Sequence, residues 1–364
     1  MSDTTGDFLG LSGLEFESRE SFISYLDQQY RQEKLTGSFN IIAAVNNLDD
    51  PAKFAPLLKQ RFNVLEENDD LLRIHTTVDE EPVYSYIFLD NTAPIFLTNA
   101  NKTDQIPPTI IRFLQETQNV GRLMLSKREI DETRKAIVSE HENVMIPFFS
   151  ARRSADEPIT AQRRPDTERS IQYRANDGLE TYREMRYNYG VLPSIMTFEC
   201  PNQFKFKIKS DGTFVHSKGG LETLWGCLKQ EIERVEEVVR YANTGSYEQT
   251  ESAFISEEEQ FTVSRPWAVE IEEGISAEPI KSLPTQLNSS FWEFSVADCY
   301  LQPEIRSFEA EVIDDTTQER TTMKTKGNDI RIYPREFTDV DQSLRLYNFI
   351  SDHFDADCKP KKVA

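Results

Sequence analysis

The sequence is poor in the features that identify many special classes of protein. Its 364 residues contain four cysteines with no C-x-x-C pair, so neither a disulfide framework nor a zinc site is indicated. No apolar run is long enough for a membrane helix, and the first residues lack a basic segment followed by an apolar one. We therefore expect a cytoplasmic protein with reduced thiols, no bound metal and no membrane contact.

Catalytic motifs are missing as well. There is no G-x-S-x-G, no G-x-x-x-x-G-K-[ST] and no G-x-G-x-x-G. His75 begins a His-x-Thr sequence, but the matching segment at His216 has Lys218 where a two-histidine phosphoesterase needs a hydroxyl group. We predict a binding or scaffold protein without catalysis or cofactor. The alternative is a hydrolase of phosphodiesters built from dispersed residues.

Positive charge is scarce. The chain has 62 acidic and 41 basic side chains, which gives a net charge of -21. Affinity for phosphates comes largely from Lys and Arg, so this balance opposes tight wrapping of a polyanion at ordinary ionic strength. It would also suit a salt-rich cytoplasm, where salt screens charges over short distances.

The pattern that is present is an internal repeat. A strand pair followed by a helix recurs three times, and its first strands are residues 84–89, 204–209 and 321–326. Turns are predicted at Asp90–Asn91, Ser210–Gly212 and Gly327–Asp329. A strand, a helix and a further strand are predicted upstream of each pair.

These patterns predict an α+β protein of three tandem units, each with the order strand, helix, three strands, helix. We expect each unit to be a curved antiparallel sheet with helices on one face. The predicted units are residues 1–120, 121–250 and 251–358, and residues 359–364 are predicted to form a disordered tail.

The element order and the sequence KIKSDGTFVHSKGGLETL at residues 207–224 resemble the half-repeat of the TATA-binding protein family. The resemblance covers about 50 residues per unit and concerns the fold. That family inserts a Phe into DNA three residues before the turn glycine. Lys209 occupies this position in unit two, and Phe88 and Lys324 are nearest to it in units one and three, so promoter binding does not carry over.

Alternation along the strands predicts which side chains face away from the helices. The outward residues are Tyr84, Tyr86 and Phe88 in unit one, Lys205, Lys207 and Lys209 in unit two, and Lys324 and Lys326 in unit three. If the units join edge to edge, these aromatic and lysine side chains share one sheet surface, which would suit nucleic acid. The alternative is that the lysines only keep an open sheet soluble.

Unit two also has an arginine-rich insertion at residues 151–174, which we predict to be a loop. It contains Arg152, Arg153, Arg163, Arg164, Arg169 and Arg174. Arginine binds phosphate and carboxylate groups bidentately, so the loop predicts an anionic nucleic acid or protein partner. The alternative is an intramolecular contact with the protein's own acidic surface.

Three units leave one sheet edge without an internal partner, and an open edge is a template for strand addition. We therefore predict that residues 254–358 form an association surface, for a second copy or another protein. The β-forming segment Thr321–Lys326 is the expected edge strand. The alternative is that the acidic segment Glu248–Glu259 covers the edge and leaves a monomer.

Overall fold

A computed structural model describes residues 6–48, 51–89, 93–153, 161–165, 167–251, 260–289, 292–335, 339–355 and 357–363. The chain divides into two compact units: the first comprises residues up to Arg153 together with Ala161–Arg234, and the second comprises residues from Val235 onward. Both combine helices with antiparallel sheets, so the predicted α+β class is confirmed. No helix in these ranges is both long and apolar enough to cross a bilayer. The turn predicted at Asp90–Asn91 lies outside the described residues.

The first compact unit opens with the elements of the first predicted repeat and the helix that precedes them. Its elements are α1 (Arg19–Arg31), β1 (Phe39–Asn46), α2 (Phe54–Arg61), β2 (Asn63–Asn68), β3 (Leu71–Val78), β4 (Glu81–Phe88), β5 (Ile95–Thr98), α3 (Arg112–Glu116) and β6 (Val120–Arg122). A π-helical turn, Pro107–Ile111, leads into α3. Four strands follow α2, where three were predicted. The missed strand is β2.

A second group of elements follows in this unit: α4 (Lys127–Glu140), β7 (Met145–Arg153), β8 (Arg169–Tyr173), α5 (Gly178–Tyr189), β9 (Leu192–Cys200), β10 (Phe204–Lys209), β11 (Thr213–Gly219) and the first part of α6 (Glu222–Ala242). The residues of α6 from Val235 onward belong to the second unit. A capping box starts α4, because the Ser126 Oγ accepts from the Glu129 N–H and the Glu129 carboxylate accepts from the Ser126 N–H. The two ends of the predicted arginine loop are strands instead, because residues 151–153 belong to β7 and residues 169–173 to β8, which pairs with it.

The strands of the first unit form one sheet in the order β2-β3-β4-β5-β1-β11-β10-β9-β7-β8, and β6 also pairs with β1. The two repeats join where β1 pairs antiparallel with β11, with Phe39 opposite His216 and Ile42 opposite Thr213. Every residue of β1 is buried. A strand that is buried on both faces and paired along both edges reads as a nearly continuous apolar run, as FNIIAAVN does.

The second compact unit contains a small two-stranded sheet and a six-stranded sheet. Its elements are β12 (Ser246–Glu251), β13 (Gln260–Arg265), β14 (Trp267–Glu270), α7 (Ala277–Leu287), β15 (Phe294–Gln302), β16 (Ser307–Asp314), β17 (Arg320–Lys326), β18 (Asp329–Pro334), α8 (Val340–His353) and β19 (Lys359–Lys362). The six-stranded sheet has the order β15-β16-β17-β18-β14-β19. Of the acidic segment Glu248–Glu259, residues 248–251 lie in β12, and residues 252–259 are outside the described ranges.

Two of the three predicted repeats share one connectivity. In the first and the third, the opening strand precedes a helix, four strands and a second helix, and it pairs with the last of the four strands: β1 with β5, and β14 with β18. The middle repeat differs, because its opening strand β7 pairs with β9, the first strand after α5. The predicted order therefore needs correction: four strands follow the first helix in the outer repeats. The repeat boundaries near residues 120 and 250 stay predictions.

The segment predicted to be a disordered tail is ordered at residues 359–362. As β19 it pairs antiparallel with β14, with Trp267 opposite Lys362. Pro360 is buried, and the Lys361 Nζ lies 2.7 Å from an Asp329 Oδ1 and 3.3 Å from a Glu270 Oε1. The lysines therefore bind neighbouring carboxylates and stabilise the strand.

The pairing of β19 with β14 bears on the prediction that residues 254–358 associate through an open sheet edge. β14 corresponds to β1, and β19 occupies the edge that β11 occupies on β1. The segment predicted to be the edge, Thr321–Lys326, lies within β17, which is enclosed between β16 and β18. That edge assignment is wrong, and association through residues 254–358 stays a prediction.

We expect Gly212→Ala to be far more damaging than Gly327→Ala, although both glycines are in hairpin turns with positive φ angles of +76° and +64°. Alanine in this conformation costs about 1–2 kcal/mol at either site. At Gly212 the added Cβ would also lie 1.5 Å from the Leu123 carbonyl oxygen, because the turn meets the chain just after β6, whereas nothing lies within 4 Å at Gly327. Hydrogen exchange in increasing urea, which reports on the two units separately, should show the larger loss for Gly212→Ala. Equal losses would contradict the close approach.

Removal of residues 359–364 should destabilise the second unit and make the protein associate, because it exposes the N–H and C=O groups of β14. The control is the double variant Lys359→Gln/Lys361→Gln, which keeps the strand and loses its exposed ion pairs, worth about 0–1 kcal/mol each. Light scattering should show a concentration-dependent rise in mass for the truncated protein only. Unchanged mass together with unchanged exchange protection of Trp267–Glu270 would show that β19 does not protect this edge.

Candidate anion-binding face

Residues that stand opposite each other in neighbouring strands share a face of the sheet, so the register assigns both faces of the first unit. Ile41 stands opposite Phe214, and Phe214 opposite Ile208; we call this side the aromatic face. Lys207 stands opposite Val215, which stands opposite Asn40. The side that carries Lys205, Lys207 and Lys209 is called the lysine face.

The predicted aromatic residues lie on the opposite face from the lysines. Tyr86 stands opposite Leu97, which stands opposite Ile41, so it belongs to the aromatic face. The Tyr86 hydroxyl donates to an Asp7 carboxylate oxygen at 2.5 Å, and the Phe88 ring stacks on the Phe22 ring of α1. Both residues are buried, so they form no exposed binding surface. Tyr84 is half-buried and stacks on His75.

The reason for this correction is the way the two repeats join. In the first repeat α2 and α3 pack on the face of Ile42 and Phe96, so Tyr86 points away from its own helices, as predicted. In the second repeat α5 packs on the other face, where its Tyr182 meets Phe149, and Lys207 points away from the helix as predicted. Pairing of β1 with β11 makes the face that α2 and α3 cover in the first repeat continuous with the lysine face of the second. The two outward faces therefore lie on opposite sides of the joined sheet.

The lysine face combines cations with one aromatic ring. The Lys205 Nζ lies 2.6 Å from a Glu199 carboxylate oxygen, and the Lys209 Nζ lies 3.3 Å from that of Asp211. Between them, the Lys207 Nζ lies over the Phe148 ring, 5.6 Å from its centre. Within the described part of the chain Lys207 forms no ion pair with a carboxylate. The guanidinium of the exposed Arg174 lies 5.4 Å from the centre of the same Phe148 ring.

Positive charge is concentrated around Lys207. Burial lowers the pKa of Lys207, and the neighbouring charges of Lys102, Lys209, Arg174 and Lys205 lower it further. The pKa of Glu199 is lowered as well, by its hydrogen bond from Lys205. This carboxylate therefore pairs with Lys205 and not with Lys207. A bound anion would relieve the repulsion that Lys207 experiences.

An unpaired hydroxyl lies beneath this cluster. Thr197 stands between Phe148 on β7 and Lys207 on β10, directly opposite each. The residue is 5% exposed, and its Oγ1 has no hydrogen-bond partner among the described residues. A buried hydroxyl without a partner costs free energy, so Thr197 is a donor that an anion reaching this position could use.

The predicted arginines do not converge on one site. Arg153 is buried and its Nε donates to the Pro165 carbonyl, Arg169 lies over the Tyr189 ring, and only Arg174 reaches the lysine face. The others in the described ranges are exposed: Arg152, Arg163 and Arg164. Residues 154–160 and 166 of this segment lie outside the description.

Lys324 and Lys326 belong to the second compact unit and are exposed on β17.

The histidines do not form a catalytic pair. His75 is on β3 and His216 on β11, four strand spacings or about 19 Å apart across the sheet, too far to flank one phosphate. His216 is also fully buried beneath Tyr30 and Phe39. No group of three or more potential metal-ligating side chains occurs within the residues the structure describes.

We expect His216 to make the protein acid-sensitive. Burial lowers the pKa of His216 to about 4, although its Nε2 donates to the Gly219 carbonyl. The unfolded chain therefore takes up the proton first, and the stabilising effect of the neutral ring is lost between about pH 6.5 and pH 4, up to about 3 kcal/mol. His216→Gln keeps a donor for Gly219 and does not titrate. Urea denaturation at a series of pH values should give a flatter profile for His216→Gln than for the wild type or for His141→Gln. Equal slopes would contradict this assignment.

Comparisons with known proteins give one family match, and the matched segment includes residues of the lysine face. A family model described as a family middle domain matches residues 128–211. That range contains Phe148, Arg174, Thr197 and the three lysines of the lysine face. Over 354 residues the chain is 23% identical to an Archaeoglobus fulgidus protein with the printed name "Uncharacterized protein", covering 93% of this chain and 95% of that relative. No solved structure matches. The chain is thus similar to an archaeal protein over nearly its whole length.

Proposed function

We propose that the protein is a non-catalytic binding protein whose lysine face holds a single-stranded nucleic acid. The observation that carries the proposal is Lys207, a half-buried cation without a carboxylate partner in the described residues, surrounded by further cations. Such an arrangement is unfavourable in the free protein and becomes favourable when a phosphate supplies the missing negative charge.

The neighbours of Lys207 favour a nucleic acid over a simple anion. Side chains at alternate positions of β10 are about 7 Å apart, so the lysines form a row that can follow a phosphate backbone. Phe148 is half-buried within this row and offers a ring edge or face to a base once Lys207 turns toward a phosphate. The arrangement recognises a flexible single strand better than a rigid duplex, because base stacking requires unpaired bases.

The affinity should be modest. Lys205 and Lys209 already bind carboxylates, which leaves Lys102, Arg174 and Lys207 as the cations available to phosphates. With three phosphates neutralised, the logarithm of the binding constant should fall with the logarithm of salt concentration with a slope of about -2. The net charge of -21 adds a general repulsion, which salt screens.

The proposal predicts that Lys207→Gln/Arg174→Gln weakens binding of a short labelled single strand by about tenfold or more at low salt, and reduces the salt slope by about 1.4. Fluorescence anisotropy measures both quantities. The matched control is Lys59→Gln/Arg61→Gln, which removes the same two charges from the same unit at exposed ion pairs with Glu67 and Glu116.

The control separates site recognition from net charge. We expect it to change the affinity less than twofold. If both double variants lose affinity equally, the lysine face is not the site. If the wild type binds no single strand at low salt, the proposed function is wrong.

We also propose a distant fold relation to the TATA-binding repeats. It rests on the order of strand, helix, four strands and helix in the first and third repeats. Two differences limit it: β7 pairs with β9 in the middle repeat, and the helices of the two joined repeats lie on opposite faces.

A further inference from the structure

The second compact unit has a cavity of its own. It is open to solvent, has a volume of about 520 Å³, and lies on the side of the six-stranded sheet where β16, β17 and β18 meet the end of β13. Its lining is rich in cations and hydroxyl groups: Ser264, Glu309, Thr322, Lys324, Thr325, Lys326, Arg331, Tyr333 and Arg335. Small-molecule sites are commonly about 300–1,000 Å³ in volume, so the size suits a compact ligand.

The register arranges these side chains as a grid. Arg331 and Tyr333 alternate along β18 and therefore point to the same face, and Arg335 directly follows the strand. On β17, Lys324 stands opposite Arg331, and Thr322 stands opposite Tyr333. Lys326 is the diagonal neighbour of Arg331, about 7 Å away, within reach of one shared ligand group.

Two cations of this grid already have partners. The Lys324 Nζ lies 2.6 Å from a Glu309 carboxylate oxygen, and the Arg335 guanidinium lies 3.2 Å from that of Glu311, which also binds Arg320. Arg331 and Lys326 form no ion pair with a carboxylate within the described residues. Among the side chains lining the cavity, the four cations therefore outnumber the single carboxylate of Glu309.

Arg331 also has an unused donor. Its Nε is buried from solvent and has no hydrogen-bond acceptor among the described residues. A buried N–H of a charged group costs more free energy when it lacks an acceptor than a neutral one does. An acceptor supplied by a ligand would remove this cost, and the guanidinium fork fits two oxygens of one phosphate.

We propose that this cavity binds a small phosphorylated ligand with a planar ring, of the nucleoside monophosphate class. Arg331 and Lys326 hold the phosphate, with the Arg331 Nε as one of the donors. The half-buried Tyr333 ring, two residues along the same strand, contacts the planar group. The site is independent of the lysine face, because all of its residues belong to the second compact unit.

The test is calorimetric titration of the full chain with AMP, with adenosine and inorganic phosphate as separate arms. We expect saturable AMP binding at millimolar or lower concentration, and binding of either fragment to be about tenfold weaker or more. Arg331→Gln and Lys326→Gln should each weaken AMP binding about tenfold. The control Lys281→Gln removes the same charge from an exposed ion pair with Glu278 in this unit and should change affinity less than twofold.

Each other outcome overturns the proposal. Adenosine binding as tight as AMP means that the phosphate is not recognised, and phosphate binding as tight as AMP means that the ring is not. Lys326 is exposed, so Lys326→Gln should fold normally. It therefore still tests the site if Arg331→Gln fails to fold. The variant Lys207→Gln/Arg174→Gln should bind AMP like the wild type. If AMP binding is lost in that variant and kept in Arg331→Gln, the ligand occupies the lysine face and the second site does not exist.

Discussion

The pairing of β1 with β11 is the constraint on which the first compact unit depends. It completes the hydrogen bonding of the central strand, buries FNIIAAVN on both faces and joins two repeats into one sheet. It also decides the chemistry of the two surfaces, because it sets the lysine face of the second repeat beside the face of the first repeat that α2 and α3 cover. The segment that contains Asp7 and Phe22 covers the aromatic face of the first repeat, while the lysine face keeps its cations accessible.

In the second compact unit a different strand pairs with the edge of the opening strand. Its opening strand β14 has the position of β1, but its free edge is filled by four residues of β19 and not by a neighbouring repeat. Four residue pairs join β14 to β19, as four join β1 to β11, and the contacts of Lys361 with Glu270 and Asp329 add to this pairing. One connectivity can therefore serve as a component of a larger sheet or as a self-contained sheet, depending on what completes that edge.

Local patterns were sufficient to predict most helices and hairpins, since amphipathic spacing and turn residues act over a few positions. β2 was missed because its alternate residues are exposed at the sheet edge, and acidic residues such as Glu66 and Glu67 are not typical of a strand. The outward direction of Tyr86 and Lys207 was predicted correctly within each repeat. The prediction that both side chains lie on the same face of the joined sheet was wrong, because the local sequence does not determine the order of the strands. No sequence signal marks Thr197 or Phe148, whose importance comes only from their positions opposite each other.

The central pairing also has a consequence for synthesis on the ribosome. The edge of β1 at Phe39 can pair only after His216 has been synthesised, which at about 5–20 residues per second takes roughly 9 to 35 seconds. During that interval β5 and β6 can pair with β1, but the stretch Phe39–Ile42 keeps an apolar edge unpaired. A nascent chain with such an edge is vulnerable to pairing with its neighbours on the same messenger. A contact between residues so far apart in the sequence raises the contact order of the first unit, which favours slow folding.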